Sequence, residues 1–317
     1  MNSTLGGGLL FRTRWRFRKL GLLIAPKPEL WWMRSHAMVP TLDRLDEDHL
    51  RVYFSGRDER NRSYIGYAVL DLNYATNEPG RAIVDFSAEP VLSLGELGAF
   101  DDNGVSPSCV VNDGTARRLY YIGWNRGATV RMHLFGGLAL SSDGGFSFRR
   151  WSRAPILERT DREPFLNTAP YVVQTERGWR VYFVACIGWK TPDLPRYHIR
   201  SAESDDGLTF RREGHVCIDL SGPEENALAR PMVLREGPVW RMWFASKGDA
   251  YRLGYAESLD GLSWVRDDSY AGLSVSADGF DSEMVEYAAV TKHRDHYIMF
   301  YNGNDYGRGG IGLAIED

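Results

Sequence analysis

The fold is indicated by the stretch Ser142-Asp143-Gly144-Gly145-Phe146-Ser147-Phe148, because the chain repeats its pattern twice more. The copies are Asp205-Asp206-Gly207-Leu208-Thr209-Phe210 and Leu259-Asp260-Gly261-Leu262-Ser263-Trp264. An Asp-Gly pair supplies the positive φ of a tight hairpin turn, and the aromatic residue after it packs the next strand. Three such turns in one chain predict a repeated β-unit.

Two strand-like motifs lie upstream of these turns, and each occurs five times along the chain. The nearer motif has the form Ile-Gly-Tyr-Ala and occupies residues 65–69, 137–141, 199–204, 253–258 and 311–315. The farther motif is rich in aromatic residues and occupies residues 50–56, 119–124, 179–184, 240–245 and 297–302. The two motifs keep the same order in every copy, which indicates five copies of one structural unit.

A third motif, centred on a proline, opens each unit at intervals of about 60 residues. Its copies are Val39-Pro40, Ser106-Pro107, Ala169-Pro170 and Arg230-Pro231, with Tyr287-Ala288 in the fifth unit. Each unit reads as three strands and a short fourth run, such as residues 90–92, 155–157 or 216–218. One such sheet cannot bury both of its faces, whereas a ring of sheets can.

The sequence therefore predicts an all-β, five-bladed β-propeller with four-stranded antiparallel blades, forming a single domain over residues 1–317. A β-sandwich with coincidental turns is the alternative, and it does not explain three motifs recurring in one order. The fifth unit stops at Asp317 after its third strand, while residues 17–25 form a spare strand before the first unit. Pairing the two closes the last blade and removes its exposed edge.

Composition narrows the classes of function. The 317 residues are 43% hydrophobic and 25% charged, as in soluble globular proteins, and the net charge of −4 gives no reason to expect nucleic acid as a partner. No apolar run of about 18 residues and no secretory signal is found, so no membrane association is expected. Three scattered cysteines predict buried thiols in a reducing compartment, with the cytoplasm as the location. No motif for a metal or a phosphate loop is present, and no cofactor is predicted.

Candidate site residues come from the segments that open each unit and from the ends of the second strands, since first strands line the axis of a propeller. Side chains of Asn, Arg and Asp suit sugar hydroxyls, and indole faces suit sugar rings; His36 is also a candidate proton-transfer group. The alternative is that many of these are solvated turn residues. The predicted substrate-binding residues are His36, Arg57, Asp58, Asp101, Trp124, Trp189, Arg230, Lys247, Arg252, Asp281, Glu283, Tyr287 and Asn302.

This organisation resembles the five-bladed propeller glycosidases, the superfamily around glycoside hydrolase families 43, 32, 68 and 130. The resemblance rests on the aromatic-rich second strand, the Ser-x-Asp-Gly turn and the x-Pro first strand, and it implies a sugar site. Furanosidases of this group use three carboxylates, but the matching positions here are Val39, Ser106, and either Thr168 or Ala229. Only Glu286, two residues before Ala288, keeps the spacing of the family's acid.

The first hypothesis is a carbohydrate-processing enzyme, most similar to a glycoside hydrolase, acting on a small-molecule or oligosaccharide substrate. Hydrolysis needs two carboxyl groups, and the pool is Asp102, Glu225, Asp281, Glu283 and Glu286. From it, Asp102, Glu225 and Glu286 are the predicted catalytic residues. Glu286 is expected to be held by a cation such as Arg230 or Arg252, or by substrate, since a buried carboxylate needs a partner.

Two further hypotheses remain open. A phosphorylase, transferase or cyclase on the same scaffold would be favoured if Arg57, Arg230, Lys247 and Arg252 cluster, because they can hold a phosphate or carboxylate. A non-catalytic sugar-binding protein would be favoured by a pocket of Asn, Arg and Trp alone. In each case Arg57, Trp124, Arg230 and Asn302 are expected to border one pocket.

Overall fold

Strands make up most of the computed structural model, which describes residues 10–317. The twenty strands are β1 (Phe17–Ile24), β2 (Ser35–Arg44), β3 (His49–Arg57), β4 (Ser63–Asp71), β5 (Ile83–Phe86), β6 (Gly104–Asn112), β7 (Arg117–Arg126), β8 (Met132–Ser141), β9 (Arg149–Arg150), β10 (Asn167–Thr175), β11 (Gly178–Thr191), β12 (Leu194–Ser204), β13 (Arg211–Ile218), β14 (Ala227–Glu236), β15 (Val239–Lys247), β16 (Tyr251–Ser258), β17 (Val265–Arg266), β18 (Glu286–His293), β19 (His296–Asn302) and β20 (Ile311–Glu316). Two short helices, α1 (Leu72–Asn77) and α2 (Asn304–Gly307), and two 3₁₀ turns, Pro79–Arg81 and Asp268–Tyr270, complete the regular structure. The predicted all-β class is confirmed.

The strands pair antiparallel within five strand groups that follow one another along the chain. The first four groups are β2 to β5, β6 to β9, β10 to β13 and β14 to β17, each paired in sequence order. The last group has the order β18-β19-β20-β1. Single parallel pairs, such as Ser63 with Gly104 and Tyr197 with Ala227, link successive groups.

The N-terminal strand β1 lies beside the C-terminal strand β20. Their antiparallel register places Phe17 opposite Glu316 and Ile24 opposite Ile311. Just before β1, the buried indole of Trp15 packs against Trp243, with ring centroids 5.3 Å apart. Backbone hydrogen bonds therefore hold β1 and β20 in one sheet, and the packing of Trp15 also fastens the segment before β1 to β15 of the preceding group.

The Asp-Gly turns join neighbouring groups as well as reversing the chain. In the first of them, Asp143 Oδ1 accepts hydrogen bonds from the backbone N–H groups of Phe146 and Ser147, at 3.0 and 3.1 Å. Glycines 144, 207 and 261 have the predicted positive φ, and Gly145 has a positive φ too. Each turn also accepts a hydrogen bond from a buried tyrosine hydroxyl of the preceding group: Tyr53 to Gly145 O, Tyr120 to Gly207 O, and Tyr182 to Gly261 O, at 2.8, 2.9 and 2.7 Å.

The prediction of the fourth strands was right for residues 216–218, which end β13, and wrong for residues 90–92 and 155–157. There, Leu92 and Leu157 make only isolated bridges, to Ile65 and Gly136. The fourth strands lie earlier in the chain, as β5 and β9. After the tight Asp-Gly turn the chain already runs beside the third strand, so pairing begins at once at Arg149.

The hydrophobic core lies between neighbouring strand groups. One apolar cluster contains Tyr53 of β3 with Tyr121 of β7, and comparable clusters join each later pair of groups. A further cluster joins the last group to the first, through Phe300 of β19 and Phe54 of β3. The three cysteines are buried free thiols, as predicted. Within residues 10–317, no helix is long and apolar enough to cross a membrane.

Candidate functional site

The first strands of all five groups border one cavity of about 410 Å³, which we call the axial cavity. The residue at the start of each proline-centred motif lines it in every unit. These five residues are Val39, Ser106, Ala169, Arg230 and Tyr287. The cavity thus draws side chains from strands that lie far apart in the sequence, which is the arrangement expected of a ligand site.

Four of these five positions have a left-handed backbone. The φ angles are 61° at Val39, 50° at Ala169, 54° at Arg230 and 55° at Tyr287. A residue before proline normally has an extended backbone, and a left-handed non-glycine residue costs on the order of 1–3 kcal/mol. The strand register shifts at these same points, so each first strand carries a bulge where it lines the cavity.

The cavity wall carries many more positive than negative side chains. In the described part of the chain, the lining contains one carboxylate, that of the exposed Asp193. It contains five cations, Arg57, Arg126, Arg131, Arg230 and Lys247. Within residues 10–317 none of these five cations forms an ion pair with a carboxylate, whereas the buried carboxylates of Asp101, Glu163 and Glu225 are each matched by an arginine.

Arg230 crosses the floor of the axial cavity. Its Nη1 donates to Ser108 O at 2.8 Å, and its Nη2 donates to Pro40 O at 2.7 Å and to Thr41 Oγ1 at 2.6 Å. Burial lowers the pKa of Arg230 to about 10. The same side chain lines a second cavity of about 180 Å³, so it stands between the two spaces.

Aromatic side chains form much of the remaining wall. Lys247 Nζ donates to the Tyr306 hydroxyl at 2.8 Å and lies 5.2 Å from the ring centroid of Tyr251. The Tyr251 and Tyr197 hydroxyls are 3.0 Å apart, and Trp124 Nε1 donates to Ser63 Oγ at 2.8 Å. These rings offer flat apolar faces together with fixed polar edges, a combination that suits a sugar ring and its hydroxyls.

Glu286 is fully buried behind this wall, next to Tyr287. Neither of its carboxyl oxygens has a hydrogen-bond partner among residues 10–317. Burial raises the pKa of Glu286 well above its usual value, and Tyr287 and Lys247 oppose this only in part. Burial therefore shifts Glu286 toward its protonated form.

The cation partners predicted for Glu286 are wrong. Arg230 donates to main-chain carbonyls and a hydroxyl of other strands. Arg252 donates to Tyr251 O and Glu283 O, both at 2.8 Å. Glu286 is thus a buried carboxyl group without an ion-pair partner in the described part of the chain.

The structure does not bring Glu225, which was predicted to be catalytic, to the cavity. It belongs to a set of carboxylates that precede the first strand of a group and bind a cation on the fourth strand of the same group. We call this contact the carboxylate clamp. Its members are Asp101 with Arg150 (2.7 Å), Glu163 with Arg212 (3.0 Å), Glu225 with Arg266 (2.7 Å), and Asp281 with Lys19 (2.6 Å).

Other predicted residues also lie away from the cavity wall. The second predicted catalytic carboxylate, Asp102, accepts a hydrogen bond from Gly98 N at 2.9 Å. Asp58 forms an ion pair with Arg62 of its own loop, with 2.8 Å between Oδ2 and Nη2. The predicted site residues that do not line the axial cavity are His36, Asp58, Asp101, Asp102, Trp189, Glu225, Arg252, Asp281, Glu283, Glu286 and Asn302.

Asn302 supports the cavity without lining it. Its Oδ1 accepts from Val39 N at 2.7 Å, and its Nδ2 donates to Ala37 O and Gly310 O, each at 2.8 Å. It therefore holds the bulge of β2 from the neighbouring strand β19. Of the four residues expected to share a pocket, Arg57, Trp124 and Arg230 do so, and Lys247 and Tyr287 join them.

Sequence reasoning missed several lining residues, namely Asn61, Arg126, Arg131, Tyr251 and Tyr306. All five lie in or beside the connections between second and third strands, at one end of the strand groups. That shared location was visible in the repeats and is the signal that points to them. No cluster of three or more His, Cys, Asp or Glu residues among residues 10–317 is arranged to hold a metal ion.

Comparison with solved structures shows that the fold is shared with glycoside hydrolases. The protein BT0996, in an RGII complex, superposes with a TM-score of 0.72 at 18% identity, over 95% of the present protein and 92% of BT0996. A glycoside hydrolase gives 0.72 at 19% identity with the same coverage, and a thermostable family-43 glycoside hydrolase gives 0.59 at 16%, covering 89% of each protein. At these identities the likeness concerns the fold alone.

No family model matches this sequence. Two proteins of Mycobacterium tuberculosis, the uncharacterized protein Rv1502 (strain H37Rv) and the uncharacterized protein MT1551 (strain CDC 1551 / Oshkosh), are each 42% identical to it over 301 residues. The alignment covers 94% of the present sequence and 98% of each relative. The protein therefore belongs to the same family as Rv1502 and MT1551.

Proposed function

We propose that this protein is a carbohydrate-processing enzyme built as a five-bladed propeller, with its sugar substrate in the axial cavity. In this proposal each strand group is a blade and β1 is the fourth strand of the last one. The supporting observation is that the first strands of all five groups converge on one cavity with aromatic faces and fixed polar groups. The glycosidase-like fold adds an argument by analogy.

The proposed reaction uses one buried acid. Hydrolysis by two carboxyl groups needs both beside the scissile bond. Within residues 10–317 the cavity wall carries only one carboxylate, that of Asp193. The positions that hold the three carboxylates in furanosidases are occupied here by Val39, Ser106, and Thr168 or Ala229. This composition favours the non-hydrolytic hypothesis, a transfer, phosphorolysis or cyclisation. In it Glu286, whose protonated form burial favours, supplies the proton by way of the neighbouring Tyr287, which lines the cavity.

The experiment replaces Glu286 with Gln, which keeps the size of the side chain and removes its proton chemistry. Turnover is measured over a panel of glycosides, sugar phosphates and nucleotide sugars, following product release. We expect a loss of about 100-fold or more in turnover with an unchanged melting temperature. Glu283→Gln is the matched control, because Glu283 is an exposed carboxylate of the same segment. Full activity in Glu286→Gln would remove Glu286 from the mechanism.

A second candidate function is sugar binding without catalysis, and the lack of a carboxylate pair on the cavity wall, as far as residues 10–317 are concerned, favours it. Calorimetry with the same panel separates the two functions. Binding without any turnover in the wild-type protein supports the second candidate. If no sugar of the panel binds, both candidate functions are contradicted.

A further inference from the structure

We propose, on the basis of the proposed function, that the sugar carries an anionic group, a phosphate or a carboxylate, which Arg57 and Arg131 bind. Both side chains line the axial cavity. Arg57 ends β3, and Arg131 lies in the connection between β7 and β8, so two separate groups supply them. This end of the cavity is called the cationic corner below.

The guanidinium of Arg57 has N–H donors that can bind a ligand. Its Nη1 donates to Asn61 Oδ1 at 2.8 Å. Its Nε is buried and has no hydrogen-bond partner among residues 10–317. A buried donor without a partner carries a desolvation cost that a ligand oxygen would remove. The planar guanidinium fork matches the paired oxygens of phosphate and carboxylate groups.

The cationic corner gathers like charges. Burial lowers the pKa of Arg57, and the charge of the neighbouring Arg131 lowers it further, although Tyr287 opposes the change. Burial, then Arg57 and Arg308, lower the pKa of His36 to about 4, so this imidazole is neutral at pH 7. Within residues 10–317, no ion pair connects Arg57 or Arg131 to a carboxylate, and Asp193, the one carboxylate of the cavity wall, is exposed. The repulsion between the two arginines is therefore not balanced by a direct ion pair.

Arg230 and Lys247, which also line the cavity, already have hydrogen-bond acceptors. Arg230 is bound by two carbonyl groups and a hydroxyl, and Lys247 by the hydroxyl of Tyr306. Half-buried arginines elsewhere, such as Arg150 and Arg266, meet buried carboxylates directly. The cationic corner therefore differs from both arrangements, and an anionic substituent of the ligand supplies the missing counter-charge.

The test is titration calorimetry of the full-length protein with matched ligands. For each of several hexoses, the neutral sugar is compared with its 6-phosphate and with its uronic acid, and inorganic phosphate is titrated alone. The variants are Arg57→Gln, which removes the charge, and Arg57→Lys, which keeps the charge but loses the fork. The control is Arg60→Gln, the same change at an exposed arginine of the same loop that does not line the cavity.

We expect at least one anionic sugar to bind about tenfold or more tightly than its neutral counterpart, and Arg57→Gln to abolish that difference. Arg57→Lys should recover part of it, and Arg60→Gln should leave it unchanged. Whether the 6-phosphate or the uronic acid binds identifies the anion. Equal affinity for neutral and anionic sugars, or equal losses in Arg57→Gln and Arg60→Gln, overturns the inference and leaves the proposed function standing. Arg57-dependent binding of phosphate alone, with no sugar bound, overturns the proposed function and the sugar part of the inference.

Discussion

Arg230 occupies an unusual position for a charged residue. It starts a proline-centred motif, has a left-handed backbone, and is almost fully buried. Its guanidinium reaches from β14 to Pro40 and Thr41 on β2 and to Ser108 on β6. Three first strands are thereby joined across the cavity by one side chain, through charge-assisted hydrogen bonds.

Replacing Arg230 with Met should lower the free energy of unfolding by about 2 to 4 kcal/mol, because two carbonyls and a hydroxyl lose their buried donor. Urea denaturation followed by tryptophan fluorescence measures this change. Arg252→Met serves as the control, since the Arg252 side chain is exposed. Equal stability of the Arg230 and Arg252 variants would show that the contacts of Arg230 do not join the strands.

Some individual residues of the cavity wall could be predicted from the sequence. Arg57, Trp124 and Lys247 were found because they end second strands, and Arg230 and Tyr287 because they start the proline-centred motif. The sequence could not separate Glu225 from Glu286. The difference between them is set by Arg266, which lies across the sheet from one and not the other.

Among elements, the carboxylate clamp ties the loop that enters a group to that group's outermost strand. It occurs in four groups, and in the last one Lys19 of β1 takes the place held elsewhere by an arginine. Because one partner precedes the first strand and the other lies on the outermost strand, the clamp connects the two sides of a four-stranded sheet.

The clamp at Glu225 should make stability depend on acid. Burial raises the pKa of Glu225, but hydrogen bonds from Arg266, Ser246 and the Ser221 N–H outweigh it, and the pKa falls to about 2. A carboxyl group whose folded pKa is depressed adds stability above its unfolded pKa, near 4.5, and loses that contribution as pH falls toward 2.

Urea unfolding at several pH values between 5 and about 2.5 should therefore show a smaller acid-induced loss for Glu225→Gln than for the wild-type protein. The Gln variant should also be less stable at neutral pH. An identical pH dependence in the two proteins would mean that Glu225 does not contribute to the acid response.

Repeats in the sequence predicted most elements, since three motifs marked the first, second and third strands of every unit. They did not locate the short fourth strands β5 and β9, which pair over only a few residues and carry little pattern of their own. The bulges of the first strands were also not predicted. A left-handed residue before proline runs against local preference and is imposed by the surrounding sheet.

At the scale of the whole molecule, the first and last of the described strands lie in one sheet. β1 pairs with β20, and the cluster around Phe54 and Phe300 joins the first group to the last. In the proposed propeller these contacts complete the ring, and loss of β1 exposes the edge of β20.

Deleting residues 1–25 should therefore cause aggregation or remove cooperative melting, because it strips β1 from β20 and takes Lys19 from Asp281. Size-exclusion chromatography and calorimetry measure the two effects. A variant that begins at residue 10, which retains Trp15 and β1, should behave like the full protein. A monomeric 26–317 variant with an unchanged melting temperature would contradict the closing role of β1.

The first-strand bulges have a consequence for how such a protein can diversify. At Val39, Ala169, Arg230 and Tyr287 the sheet dictates the backbone, while the side chains range from a methyl group to a phenol and a guanidinium. Apart from Arg230, whose side chain joins three strands, the strand pairing and the chemistry of the cavity wall are thereby encoded separately at these positions. If the proposed function is right, point substitutions at Val39, Ala169 or Tyr287 can exchange one ligand preference for another while strand pairing is inherited unchanged.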